Sequence, residues 1–301
     1  ILYENLQPVF ADVDEHLCLD PKSVREKITD KTKAIMYVGM GGNMGDIREI
    51  QWICKEYNLK LILDAAHMSG TYTKEMSPDG GAYAISHTGY EADVSIFSFQ
   101  AVKNLPTADS GMICFRDEED DKLVRQLSWL GIDKDTYSRS NSKGNYSWKY
   151  DVPFVGYKYH GNSIMASIAK VQLRYLDSDN QIRNTISEKY LKFINEVPSL
   201  EYIKTSEYCE VPSRHLFQIY SKNDSINRDT IIEGLHNSGI YPGVHYIDNR
   251  TYRMFRQHED FCKRATFYSN RIISLPLHLN LSEEDIIRIC NSLREITTKN
   301  V

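Results

Sequence analysis

Ser95-Ile96-Phe97-Ser98-Phe99-Gln100-Ala101-Val102-Lys103-Asn104-Leu105-Pro106 begins as a strand and ends on a single lysine. Val94, Ile96, Phe97 and Phe99 are strand formers that follow a break at Asp93. The apolar run then stops, and Lys103 is delivered into a short segment closed by Pro106. A lysine at the end of a buried strand is either a snorkelling surface residue or an amine tuned by its surroundings. A second stretch bears on that choice. Leu59-Lys60-Leu61-Ile62-Leu63-Asp64 is another apolar strand and ends in a carboxylate. Ala65-Ala66-His67 follows, and its small residues let something flat approach the backbone.

Working outward, Lys33 to Val38 reads as a buried strand, and a helix is expected from about Ile47 to Tyr57. With the strand 59–64 this makes a strand–helix–strand unit, which implies a parallel sheet with right-handed crossovers. Between strand and helix lies Gly39-Met40-Gly41-Gly42-Asn43-Met44-Gly45-Asp46. That outline admits a rival, a dinucleotide fold with Asp64 in the ribose-binding place. A G-x-G-x-x-G run from Gly39 would need glycine at 44, where Met44 stands. The rival also leaves Lys103 without a purpose.

Asp64-Ala65-Ala66-His67 and Ser98-Phe99-Gln100-Ala101-Val102-Lys103-Asn104 together resemble the two motifs of the DegT/StrS sugar aminotransferases, D-x-A-(H/Q) and S-F-H-x-x-K-N. These are pyridoxal-phosphate (PLP) enzymes of fold type I, and the resemblance runs the length of the chain. It implies an α/β architecture with a mostly parallel large-domain sheet flanked by helices, plus a smaller α+β C-terminal domain. Residues 1–179 would form the large PLP-binding domain, and 180–301 the connecting helix and small domain. Ile1 to Asp14 starts inside structure with no initiator Met, matching a helix end and the family strand P-V-F-x-D-v-D. The expectation is that a part carrying the phosphate loop and a ring-stacking aromatic lies upstream.

Length and composition agree with that outline. At 301 residues the chain exceeds what one core comfortably fills, so two subdomains are expected. Hydrophobic content of 41% with 26% charge describes an ordinary globular protein. A net charge of −5 argues against general nucleic-acid affinity. The six cysteines are scattered with no C-x-x-C pair, so buried reduced thiols in a cytoplasmic protein are expected, without disulfides or a metal site. No run suits a membrane helix or signal peptide.

Further along, Asp20-Pro21 suits a helix start and Gly239 a helix stop. Gly70 to Gly89 reads as a loop, either near the active site or on the surface. Gly131 to Lys149 is polar, and its Tyr137, Arg139 and Trp148 could reach a substrate. Gly156-Tyr157-Lys158-Tyr159-His160-Gly161-Asn162-Ser163 precedes a helix from about Ile164 to Leu176, with Ile164, Ile168, Val171 and Leu173 on its apolar side. It resembles the family turn G-Y-(N/K)-Y-x-x-(S/N), which reaches into the neighbouring subunit's site. A long helix is expected from about Asn180 to Asn195. Ile240 to Tyr246 and Ile272 to His278 match the family's G-I-x-x-G-V-H-Y and S-L-P-L-H stretches.

The resemblance assigns roles residue by residue. Lys103 would hold the cofactor aldehyde as a Schiff base and carry protons, with its pKa lowered by burial. Asp64 would keep the ring nitrogen protonated. His67 would lie near the ring oxygen, Ser98 would bond the phosphate, and Lys158 and Asn162 would reach the cofactor from a partner subunit. His160, His245 and Tyr246 are the candidate substrate contacts, with Arg250 and Arg253 as further candidates for a diphosphate. Gln100 replaces the family's common His. The implied reaction moves an amino group from L-glutamate, or glutamine, to a keto sugar on a nucleotide, in a homodimer with shared sites. Alternatives are a keto-cyclitol aminotransferase, a PLP sugar dehydratase (which carries His in place of the lysine), a nicotinamide-dependent oxidoreductase, and a sensor that keeps the pocket without turnover.

Overall fold

The computed structural model describes residues 1–75, 84–133, 150–222, 226–255 and 261–299. In chain order the elements are α1 (Pro21–Lys27), β1 (Ala34–Val38), α2 (Ile47–Tyr57), β2 (Lys60–Asp64), β3 (Tyr72–Glu75), β4 (Ala84–His87), β5 (Val94–Ser98), β6 (Gly111–Phe115), α3 (Glu118–Ser128), α4 (Ser163–Gln172), α5 (Leu176–Asn195), β7 (Leu200–Tyr202), β8 (Cys209–Val211), β9 (Phe217–Ser221), α6 (Arg228–Asn237), α7 (Lys263–Ser269), β10 (Ile272–Leu275) and α8 (Glu283–Lys299).

The first sheet has the order β1-β2-β5-β6. β1 and β2 run parallel with Val38 opposite Asp64, and β2 and β5 run parallel with Asp64 opposite Ile96. β6 closes the edge antiparallel, with Ser98 opposite Gly111. Local signals suffice for these elements. The Asp20 side chain accepts the Lys22 amide at the start of α1, with Pro21 in the first helical turn. Asp46 caps α2, which ends at Asn58 in the left-handed region. Ile47, Ile50, Ile53 and Cys54 recur at helical spacing on the buried face of α2 and pack with Tyr37, Leu61 and Leu63.

A second buried cluster forms around β9. Ile186, Tyr190, Phe193 and Ile194 of α5 meet Phe217, Ile219, Ile273, Leu275 and the apolar side of α8. Here the sheet order is β10-β9-β7, antiparallel throughout. Ser282 and Asp285 bond reciprocally at the start of α8, and α6 ends before Gly239 at φ 69°. All six cysteines are free thiols. Among the described residues no helix is long and apolar enough to cross a membrane.

Two sequence readings change, and two further features were not foreseen. The stretch 70–89 is not a plain loop: β3 pairs with β4 and, across a large sequence distance, with β8. Its strand signal is weak because the partner that orders it is non-local. The long helix begins at Leu176, so the helix before it stops at Gln172. Among the described residues the apolar side of α4 stays exposed: Ile164 is 76% exposed and Val171 48%. Residues 240–246 form no strand, only a single bridge from Gly243 to Ser274. Tyr137, Arg139 and Trp148 lie outside the described residues.

The glycine run also finds its physical reason. Gly41 and Gly42 take φ of 66° and 90°. A Cβ on Gly42 would come within 2.1 Å of Ser213 Oγ, and one on Gly41 within 3.0 Å of the Gln218 side chain. The run lets the segment leading into β9 press against the turn between β1 and α2.

Candidate active site

Two neighbouring parallel strands end side by side, and the chemistry lies just beyond them. The Gly39 amide donates to the Asp64 carbonyl (3.1 Å), and the Ala65 amide donates to the Ile96 carbonyl (2.8 Å). Asp64 is therefore held from both flanking strands. Its Oδ1 accepts the Ala66 amide at 3.0 Å, and its side chain stays half-buried. After β5 the chain makes a tight excursion. Phe99 donates to Ser110, Thr107 to Phe99, and the Lys103 amide to the Gln100 carbonyl. Lys103 is carried on that turn, while Ser98 Oγ accepts the Gln100 amide at 3.4 Å.

Burial sets the electrostatics around the lysine. It pushes the Lys103 amine down, and the Asp64 carboxylate works against that. His67 is buried and pushed down to about 3, by desolvation first and then by Lys103 and His245. His245 is pushed down by burial and by Lys103. The Tyr246 hydroxyl is pushed up by burial and by Asp64. These mutual influences place Asp64, His67, Lys103, His245 and Tyr246 in one neighbourhood. Ring contacts agree: His67 stacks on Tyr246 at 6.3 Å between centroids, and His245 meets Tyr246 edge-on at 4.9 Å. His245 Nδ1 lies 2.9 Å from Ser274 Oγ on β10, and the Gln218 amide donates to the His245 carbonyl.

The remaining candidates lie on a separate exposed stretch. Lys158 Nζ stands 3.5 Å from the centre of the Trp129 ring and 3.4 Å from His160 Nε2. The His160 ring itself rests edge-on against Trp129. Asn162 caps α4 through Oδ1, which accepts the Met165 amide at 3.0 Å and leaves its Nδ2 free to donate. Arg250 is committed to structure: it pairs with Asp248 and donates to the Cys262 carbonyl and Thr266 Oγ1. Among the described residues no group of three or more His, Cys, Asp or Glu could hold a metal ion.

Sequence reasoning missed the residues behind His67. His215 is buried, its ring 4.3 Å from that of His67, and it is pushed down to about 2 by burial, then His67, Lys103, Arg183 and His245. His215 Nδ1 lies 2.9 Å from Asn104 Oδ1, and Asn104 is next to the lysine. A lone His before a strand carried no signal of its own. Asn104 could have been noticed, since a polar residue between Lys103 and Leu105 has to find partners once buried.

Comparison with known proteins agrees with this geometry. The profile of the DegT/DnrJ/EryC1/StrS aminotransferase family matches residues 1–294. Spore coat polysaccharide biosynthesis protein SpsC of Bacillus subtilis is 30% identical, over 98% of this chain and 75% of SpsC. The aminotransferase TlmJ of Streptoalloteichus hindustanus superposes with a TM-score of 0.85 at 28% identity, over 99% of this chain and 75% of TlmJ. Spr1654 of Streptococcus pneumoniae, described as a sugar aminotransferase and solved in a PMP-form, gives 0.84 at 27% identity, over 98% of this chain and 77% of Spr1654. On this match along almost its whole length, the chain belongs to the DegT/DnrJ/EryC1/StrS aminotransferase family.

Proposed function

We propose that the chain transfers an amino group from L-glutamate, or glutamine, to a keto sugar held on a nucleotide, with pyridoxal phosphate as cofactor. The observation that carries this reading is the placement of Asp64 and Lys103 at and just beyond two adjacent parallel strand ends, with the Asp64 carboxylate acting on the Lys103 amine. The donor set fits the cofactor. There is a carboxylate for the ring nitrogen, an amine for the aldehyde, and a His beside the amine. The Ser98 hydroxyl and the free Asn162 amide group suit the phosphate. When bound, pyridoxal phosphate supplies an aldehyde and an electron sink.

The chain's own residues would do the rest. Lys103, made less basic by burial, would give and take a proton at the substrate carbon. Asp64 would hold the ring nitrogen protonated, since a close opposite charge shifts such a pKa by roughly 1–3 units. His245 and Tyr246 face the sugar side, and His160 joins them from the exposed stretch. That stretch, with Lys158 and Asn162, would come from the second copy in a homodimer with shared sites, in the cytoplasm. The uncovered apolar side of α4 supports a second copy there. Spr1654, solved in both a PLP-form and a PMP-form, supports the cofactor, and the name of SpsC supports amino-sugar or surface-polysaccharide biosynthesis.

The test is spectral. Adding pyridoxal phosphate should give the absorbance band of a protein-bound aldehyde, and adding glutamate should bleach it. A nicotinamide enzyme shows no such band. A sensor shows the band without bleaching, and either result removes the reading.

A further inference from the structure

Asn104 follows Lys103, and its amide has no orientational choice left. Asn180 on α5 donates Nδ2 to the Ser69 carbonyl (3.0 Å), which turns its Oδ1 toward Asn104. Asn104 Nδ2 donates to that Oδ1 and to the Ser213 carbonyl, both at 2.7 Å. Main-chain carbonyls only accept, so both amides are fixed by the backbone. Asn104 Oδ1 is left facing His215 Nδ1, and His215 must therefore carry a proton on Nδ1. Its neutral ring has a bare Nε2.

His67 is fixed the opposite way. The Gly41 amide donates to its Nδ1 at 3.2 Å, so that nitrogen is bare and a neutral His67 carries its proton on Nε2. Ser213 Oγ, in the same segment as His215, donates to the His67 carbonyl at 2.7 Å. The two rings lie 4.3 Å apart between centroids, tilted by 32°; both are buried and faced by Lys103 and His245, with Arg183 also acting on His215. None of those neighbours favours a cation in either ring.

We propose that Asn104 and His215 are positioning residues, which back His67 as a neutral Nε2–H donor and tie the Lys103 turn to α5 and to the segment 213–215. A neutral donor beside the lysine can bond an oxygen without adding a charge that would compete with the amine. The tautomers stand on protein atoms alone, while their consequence for amino transfer rests on the function proposed above.

Long-range proton–nitrogen NMR of the cofactor-free protein, labelled with nitrogen-15 in histidine, reads the tautomers directly. His215 should be protonated on Nδ1 and His67 on Nε2, and neither should titrate between about pH 5 and pH 8. The reverse tautomer in either ring, or a cation at neutral pH, overturns the proposal with no variant needed. In the loaded enzyme, a merely structural role would lower stability alone. A positioning role predicts that Asn104→Ser lowers kcat by about 100-fold with KM for the amino donor little changed. His215→Asn keeps an N–H aimed at Asn104 and should recover part of what His215→Ala loses. If the two His215 variants are equally impaired, the link through Asn104 is wrong. The expected tautomers in a protein with no cofactor band would sink the proposed function and leave the histidine assignment standing.

Discussion

The inner half of the proposed site, with Asp64, His67 and Lys103, differs in kind from its proposed outer half, with Lys158, His160 and Asn162. Asp64 closes β2, and His67 and Lys103 lie on the turns beyond β2 and β5; main-chain donors meet two of the three side chains, the Ala66 amide on Asp64 and the Gly41 amide on His67. Outer side chains are exposed and touch one another, Trp129, or the first turn of α4. The partners of Asp64 and His67 belong to the sheet ends and the buried glycine turn. The outer stretch is tied through its backbone to the end of α3, the Tyr159 and His160 amides both donating to the Ser128 carbonyl, while the Lys158, His160 and Asn162 side chains stay exposed. Each of the following experiments breaks or sharpens that contrast.

The largest effect is expected from acid. His67 has its folded pKa lowered to about 3 from 6.5, so the unfolded chain binds the proton more readily in that window. Stability is full above the unfolded value and falls as pH drops from about 6.5 toward 3. A shift of that size corresponds to on the order of 5 kcal/mol. Asp14, buried and raised to about 6, has the opposite slope and is destabilising above that pH. Urea midpoints of the cofactor-free protein should therefore fall less steeply below pH 6.5 in His67→Gln than in the wild type. Equal slopes would mean that the inner half is not the acid-sensitive part.

Asp64→Asn comes next. The variant should still take up pyridoxal phosphate but lose about 10- to 1000-fold in transfer rate, the effect of an ion pair worth roughly 1.5–4 kcal/mol at that step. Unchanged turnover would remove Asp64 from its role. A smaller change is expected when the two halves are separated between chains. Lys103→Ala and the double variant Lys158→Ala with Asn162→Ala should each be inactive alone. Refolded together, about half the dimers are mixed and hold one whole site, so about a quarter of wild-type activity should return. A mixture as dead as its parents, with mixed dimers present, would place the outer residues in their own chain's site.

The smallest effect separates the two uses of Asn162. Asn162→Ala loses a helix cap worth about 1 kcal/mol, whereas Asn162→Asp keeps the cap and puts a negative charge toward a phosphate. Asn162→Asp should match the wild type in thermal unfolding without cofactor and bind pyridoxal phosphate more weakly. If its affinity is unchanged, capping is all that Asn162 does.

The sequence by itself determined the parts whose causes lie within a few residues. The caps of α1 and α2, the apolar spacing of α2, and the runs that became β1, β2 and β5 needed no distant partner. The same holds for Asp64 at the end of β2, whereas Lys103 lies not at the end of β5 but on the turn beyond it. Tertiary structure alone decided what depends on remote contacts. β3 is a strand because β8 and β4 pair with it, and the glycine run is glycine because Ser213 and Gln218 press against it. Asn104 meets Asn180 across 76 positions and His215 across 111. A local hydrogen bond or a helical period is written in adjacent residues. A buried amide's partners are chosen only when distant segments come together, and no pattern near Asn104 encodes them.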